Sequence, residues 1–438
     1  MVEKFAVQIL GNNEYALRLF PLICGVASLF LFYELGKKLL LKSGVTISLL
    51  LFACLKYLVY YSAEVKQYSS DVTIALLLYL LLLPLAKQKL NRGQMIKYCL
   101  VGAIAIWFSH PSIFILASIG SIALLRRQKD QNQTKKLLGI YSAWIFSFVI
   151  FYFVSLSNLT GNETLMISWG NAFPDTTFDI IWMLDAFGKF FYKPLGFGKW
   201  IDGLAIVAFL VGCVSYWLRR KEILLLLLSP LLATFSASFL HQYPFRSRLV
   251  LFLTPFVIFL IAEGVHYMLS KPQDRRIKFI SIFFAILLLW QPLAKGIHLM
   301  KNPRTYSEIK PVLNYIKAHQ QPGDILYIYQ RGIYQFEYYA EKYGYQEGDY
   351  IIGVDDLDEY DGKKLSIAEI ARYKKDLDRL RGNKRVWLLF SHNHIPAERR
   401  FFKAYLKEIG LRIDRFVEKG SYVVLYDLSY KNEGANNE

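Results

Sequence analysis

Cysteine is scarce in this sequence. There are four in 438 residues, Cys24, Cys54, Cys99 and Cys213. All four stand inside apolar runs, where a thiol packs as a small hydrophobe, so neither a disulfide framework nor a thiolate metal site is expected. Acidic residues are also few, 35 against 52 Lys and Arg, which leaves a net charge of +17. The opening Met1-Val-Glu-Lys does not lead directly into an apolar stretch, so no signal peptide is expected there. No internal repeat is visible, and the last 130 or so residues carry no Gly-rich phosphate loop.

Apolar residues are abundant, 54% of the chain with 16% aromatic. A soluble core would struggle to bury so many, and they come in long runs. Ten runs approach the ~20 residues of a membrane-spanning helix: 17–36, 44–62, 70–86, 95–109, 111–125, 137–157, 200–218, 222–240, 247–269 and 277–298. The fourth and fifth are short and meet at Ser109-His110-Pro111-Ser112, a turn from which Pro111 can start a new helix.

The positive excess lies in the first 300 residues, because from Asn302 onward 22 Lys and Arg face 21 Asp and Glu. A basic chain can signal nucleic acid, but here the cations sit between apolar runs, so no nucleic-acid partner is expected. Basic connections (Lys37, Lys38 and Lys42; Lys87 to Lys97; Arg126 to Lys136; Arg219 to Lys221; Lys271 to Lys278) alternate with connections poorer in Lys and Arg. The positive-inside rule puts the basic set in the cytoplasm. The expected architecture is an α-helical polytopic membrane protein of about ten spans over residues 1–300, followed by an extracytoplasmic α/β domain over 301–438. An N-terminus on the outside suggests that one upstream helix and part of its loop are missing, through a truncated or misassigned start.

Within the 158–199 connection, the aromatic, amphipathic stretch from Phe178 to Phe191 reads as a helix lying at the outer interface or packing on the bundle. Beyond Asn302, strands are expected at 325–329, 350–354, 385–390 and 422–426, with helices at 307–319, 333–343, 366–381 and 397–409.

Charged groups at the mouth of a membrane bundle are costly and so mark function. The richest stretch is Tyr60-Tyr-Ser-Ala-Glu-Val-Lys-Gln-Tyr-Ser-Ser-Asp. On one helix, Glu64, Tyr68 and Asp71 would share a face at i, i+4 and i+7. Two carboxylates there suit a divalent metal or a general base, and Lys66 suits a phosphate; a polar helix cap is the bland alternative. Arg246 and Arg248 near Tyr243 open an outer helix start and suit an anion, or else pair with lipid headgroups. His110 faces the same side. Glu3, Glu14 and Arg18 are the charges of the N-terminal segment. Ser391-His-Asn-His reads as a loop in preference to a metal pair.

At these residues the chain resembles a known family. Gly11-Asn-Asn-Glu-Tyr-Ala-Leu-Arg-Leu-Phe-Pro-Leu, Tyr61-Ser-Ala-Glu-Val-Lys-Gln-Tyr-Ser-Ser-Asp, Trp107-Phe-Ser-His-Pro-Ser and Tyr243-Pro-Phe-Arg-Ser-Arg are similar to bacterial membrane glycosyltransferases of the GT-C fold, relatives of the protein mannosyltransferases and lipid A aminoarabinose transferases. The likeness runs through about residues 5–300. It implies transfer of a sugar from a polyprenyl-phosphate carrier to a lipid, glycan or protein acceptor at the external face of the bacterial cytoplasmic membrane. It implies that the family's second-loop role falls on Glu64, with Lys66, Tyr68 and Asp71 nearby; Glu64 and Asp71 are then the expected catalytic residues, Glu64 positioning a divalent metal (Mg or Mn) or the acceptor. Lys66, Arg246 and Arg248 become candidates for the donor phosphate, and Tyr68, His110 and Tyr243 for substrate contacts. The acid that the family carries in its first external loop has no clear counterpart, since Glu3 and Glu14 do not obviously replace it. The rival readings are a glycolipid flippase, which broken helices or paired repeats would favour, and an inactive truncated scaffold.

Overall fold

In the computed structural model the chain divides into two compact units, Met1–Asn302 and Pro303–Glu438. The structure describes residues 2–86, 88–127, 130–157, 169–176, 179–198, 200–270, 274–302, 305–354, 365–392 and 395–429.

The first unit is helical: α1 Val2–Leu10, α2 Glu14–Leu39, α3 Lys42–Cys54, α4 Lys56–Tyr61, α5 Tyr68–Leu82, α6 Arg92–Phe108, α7 Ser112–Arg127, α8 Gln131–Phe151, α9 Ile180–Phe190, α10 Ile201–Arg219, α11 Lys221–Phe239, α12 Thr254–Ser270 and α13 Arg275–Lys301. Seven helical segments among the described residues are long and apolar enough to cross a membrane: those of α2, α5, α8, α10, α11, Ser247–Ser270 and α13. The three other expected spans fall on α3, α6 and α7, with 13, 17 and 16 residues. At 1.5 Å per residue these reach only about 20–26 Å. Large apolar side chains point away from the bundle, among them Phe153 and Phe279 at 71% exposure and Trp290 at 66%. Such outward surface belongs against lipid, and the chain is a multi-pass membrane protein.

The expected span 44–62 is not one helix. Leu55 adopts extended backbone (φ −67°, ψ 121°) and separates α3 from α4. The break is covered by α13, whose Gly296 lies so close that an added Cβ would sit 3.4 Å from the Cys54 backbone. The expected span 247–269 also starts irregularly, as a 3-10 segment Ser247–Leu253 ahead of α12. Residues Val2–Leu10 form a helix, α1, which ends at Gly11 in left-handed conformation (φ 81°). Asn13 then caps α2, its side chain accepting from the Ala16 N–H at 2.8 Å.

The core of the bundle is α12, with every residue from Thr254 to Val265 buried. It meets α10 backbone to backbone. A Cβ on Gly212 would stand 1.9 Å from the Leu260 carbonyl oxygen, and one on Gly264 would stand 1.8 Å from that of Ala208. Small residues permit this approach, the usual basis of helix association in lipid. Of the amphipathic stretch in the 158–199 connection, α9 is described and Phe178 lies outside the described residues. Asp179 caps α9 and Trp182 packs edge-on against Phe239 at 5.8 Å. Ile181 is 83% exposed on its other side, as an interfacial helix requires. All four cysteines are free.

The second unit is an α/β layer. Its helices are α14 Ile309–His319, α15 Ile333–Ala340, α16 Ile367–Asp378 and α17 Pro396–Ile409, and its strands are β1 Ile325–Ile328, β2 Ile351–Ile352, β3 Val386–Ser391, β4 Leu411–Glu418 and β5 Ser421–Asp427. The sheet order is β2-β1-β3-β5-β4, parallel through β2, β1 and β3 and antiparallel at β5 and β4. Alternate residues of β3 feed opposite faces. Leu388 and Phe390 pack with Tyr373, Phe402 and Leu406 from α16 and α17, while Trp387 and Leu389 pack with Val312 and Ile316 from α14. Strand β4 was not expected; its Arg412 and Arg415 are exposed and its Asp414 and Glu418 half-buried at the sheet edge, and these charges hide the apolar alternation. Asp324, just before β1, accepts from Arg385 Nε at 2.7 Å, the Trp387 indole at 2.8 Å and the Gln321 N–H at 2.9 Å. His392 follows β3 with φ 56°, and its expected companion His394 lies outside the described residues.

Candidate active site

The site is built where α4, the first turn of α5, the 109–112 turn and the 243–248 connection come together. Helix α5 starts at Tyr68. Glu64 therefore lies in the preceding bend and does not share a helical face with Tyr68 and Asp71, which corrects the expected i, i+4, i+7 pattern. The bend is tight, with the Lys66 N–H donating to the Glu64 carbonyl at 2.8 Å. Glu64 is half-buried and Lys66 exposed. Among the described residues neither makes a side-chain hydrogen bond or ion pair.

Asp71 is different. It is 5% exposed, and its Oδ1 has no hydrogen-bond partner among the described residues. The Ser109 hydroxyl stands beside the carboxyl without aligning as a hydrogen bond; Ser109 Oγ and Ser112 Oγ are buried and unpartnered as well. Three unsatisfied polar atoms in one place are unusual in a native interior and suit a bound polar group. Tyr68 and Tyr243 lie within electrostatic reach of Asp71. So does the Cys24 thiol, which is also within reach of Glu3 on α1.

Arg248 sits over the Tyr68 ring at 5.7 Å. Tyr68 meets Tyr61 edge to face at 4.9 Å, and Tyr61 stacks with Tyr57 at 6.3 Å. At the far end, Lys56 lies 4.7 Å and Lys193 5.7 Å from the Tyr57 ring. Lys295 of α13 closes on the same connection, because a Cβ on Gly198 would stand 2.9 Å from its Nζ. Lys56, Lys193 and Arg248 thus lie against a ladder of three tyrosines that ends one turn from Asp71, with Lys295 beside Gly198 on the same connection as Lys193. Cation–π contact orients the first three.

Of the residues singled out from sequence, Tyr68, Asp71, Tyr243 and Arg248 converge. His110 packs on Phe151 at 4.9 Å, while its neighbour Ser109 reaches Asp71. Arg246 is exposed and separated from Arg248 by Ser247, held at φ 51°, a strained conformation for a non-glycine residue. Lys56, Lys193 and Lys295 were missed. Lys56 had a signal, since a lysine inside a predicted span is a functional pointer; the other two are grouped only by the fold. An apolar cavity of about 130 Å³ opens beside this ladder, lined by Leu22, Val26, Leu58, Val59, Val72 and Leu251.

Residues 2–155 match the family described as dolichyl-phosphate-mannose-protein mannosyltransferase. The match supports a GT-C-fold membrane glycosyltransferase. The matched residues take in Lys56, the three tyrosines, Asp71 and Ser109, while Lys193, Tyr243, Arg248 and Lys295 lie beyond them. No curated protein and no solved structure matches the chain.

Proposed function

We propose that this glycosyltransferase moves a sugar from a polyprenyl-phosphate donor to a lipid, glycan or protein acceptor on the outer face of a bacterial cytoplasmic membrane. The observation that carries the reading is the set of Lys56, Lys193 and Arg248 along a tyrosine ladder that leads to the buried Asp71, whose Oδ1 has no hydrogen-bond partner among the described residues, with Lys295 on the same connection as Lys193. In the reaction, the acceptor hydroxyl attacks the anomeric carbon as the bond from that carbon to the phosphate oxygen breaks. The phosphate departs with the bonding pair, and the cations hold the charge that develops on it. Asp71 takes the acceptor's proton, with Ser109 and Ser112 positioned to hydrogen-bond sugar hydroxyls. The apolar cavity beside α4 suits the first part of the carrier chain.

Among the described residues no three His, Cys, Asp or Glu side chains converge. A Mg or Mn ion at Glu64 or Asp71 would then take most of its oxygen ligands from the donor phosphate and water. The carboxylates' own roles here are to bind and deprotonate the acceptor.

The test is a donor-consumption assay in lipid nanodiscs with polyprenyl-phosphate-linked sugars, reading free polyprenyl phosphate and glycosylated product. Release that depends on Lys56 and Asp71 supports the reading; no release with any donor, from a folded protein, overturns it. A carrier is the second reading, favoured by the helix break at Leu55. It predicts movement of labelled glycolipid across vesicles without sugar transfer.

A further inference from the structure

The C-terminal unit is nearly neutral, with 22 Lys and Arg against 21 Asp and Glu from Asn302 onward. Its charges are nevertheless segregated. Helix α17 stops short of the β4 edge, and the gap is a trough of about 340 Å³ on the sheet face that α17 covers. Arg399 and Lys403 form its helix side and Arg412 and Arg415 its strand side. Among the described residues, the side chains of Lys403, Arg412 and Arg415 make no hydrogen bond or ion pair. The floor is aromatic: Phe390 and Tyr422 stack at 4.8 Å with planes 13° apart, and Tyr426 continues the row. Burial pushes the Tyr426 hydroxyl up, and Arg412 and Arg415 draw it back down, so both guanidinium groups lie close to that ring.

Among the described lining residues several cations stand with a single carboxylate, Glu418; the cations repel one another, and this surface gains when an anion enters. Two features point to the class of anion. The half-buried Tyr422, stacked on the buried Phe390, suits a ring with an apolar face. Glu418 adds an acceptor beside the Ser421 hydroxyl. A lipid phosphate has no use for a carboxylate and is repelled by it, whereas a sugar hydroxyl donates to one. The volume, at the lower end of small-molecule sites, holds one or two sugar rings.

We propose that this trough binds an acidic saccharide, one bearing a carboxylate or phosphate, with Arg412 and Arg415 on the acid group, Glu418 on a hydroxyl and the half-buried Tyr422 beneath the ring. That this saccharide is the acceptor of the membrane domain rests on the transferase reading; the binding itself does not.

The experiment is calorimetric titration of the full chain in zwitterionic nanodiscs with a glucuronate-containing disaccharide, its neutral glucose counterpart and inorganic phosphate. The acidic disaccharide should bind, weaken as salt is raised, and lose roughly tenfold or more in affinity in Arg412→Ala and Arg415→Ala. Both arginines are exposed, so the fold survives, which an unchanged melting curve verifies. Equal binding by wild type and both variants, or no binding at all, overturns the proposal. Inorganic phosphate binding as tightly as the disaccharide reduces the trough to an unspecific anion site. Displacement of the disaccharide by anionic-lipid vesicles would assign the trough to a membrane surface instead. Repeating the titration on Asp71→Asn separates the two readings: binding retained without transfer leaves the trough standing whatever the fate of the membrane site.

Discussion

Asp71→Asn should raise stability and abolish activity together. The side chain is 5% exposed, and its Oδ1 finds no hydrogen-bond partner among the described residues. An ionised carboxylate in that position forfeits most of its hydration without full compensation. Asn has the same shape and no charge, so replacing the acid should relieve about 1–3 kcal/mol, the usual cost of an unsatisfied buried polar group. If Asp71 accepts the acceptor's proton, the same change removes a general base, a contribution typically of ~10²–10⁴ in rate. Thermal unfolding in detergent and donor consumption on one preparation give both signs. Stability that falls together with activity would mean that Asp71 holds the bundle together, and activity within a few-fold of wild type would remove it from the chemistry.

Other outcomes follow from single contacts. Gly264→Ala or Gly212→Ala would push a methyl to within 2 Å of a facing carbonyl oxygen, so each should cost about 1–3 kcal/mol or more by overpacking and lower the melting temperature; unchanged melting would contradict the α10–α12 packing. Glu64→Gln and chelation with EDTA should each slow transfer, with Mg or Mn restoring the chelated enzyme; full turnover of Glu64→Gln removes Glu64 from acceptor or metal binding, and full turnover in EDTA removes the metal. In the C-terminal domain, burial pushes the Asp324 carboxyl up but the Arg385, Gln321 and Trp387 donors outweigh it and hold it below the ordinary range. Its stabilisation is therefore complete above about pH 4 and is lost as pH falls through the lowered value. At neutral pH, Asp324→Asn should cost roughly 1.5–3 kcal/mol by pulse proteolysis of that domain. The deficit should close in acid, and one that stays constant with pH contradicts the ionised pairing.

The spans were legible because hydropathy is a bulk property: Glu14–Leu39 and Arg275–Lys301 follow directly from their apolar runs, and His110-Pro111 marked the turn between α6 and α7. The break at Leu55 was not legible, because Leu-Phe-Ala-Cys-Leu is apolar throughout and carries no breaker residue, while the segment packs beside Gly296, which is distant in sequence. The start of α5 at Tyr68 detached Glu64 from the face that periodicity gave it, since a polar run does not say where a helix begins. Asp71 and Arg248 could be picked out as charges at an outer mouth, and the fold does bring them together. Lys193 and Lys295, 102 residues apart in sequence numbering, are brought to one connection, Lys295 beside Gly198, through tertiary contact alone. The same holds for the cationic trough, two of whose arginines sit on the edge strand that charge had concealed.

Affinity for polyprenyl phosphate itself tests the central claim most directly, with no need to know the sugar or the acceptor. Native mass spectrometry or a fluorescence titration would compare wild type with Lys56→Met, Lys193→Met, Lys295→Met and Arg248→Met. The account predicts a loss of roughly tenfold in each, the worth of one charge-assisted contact, while Lys66→Met changes affinity less. Wild-type affinity in all four variants would contradict it.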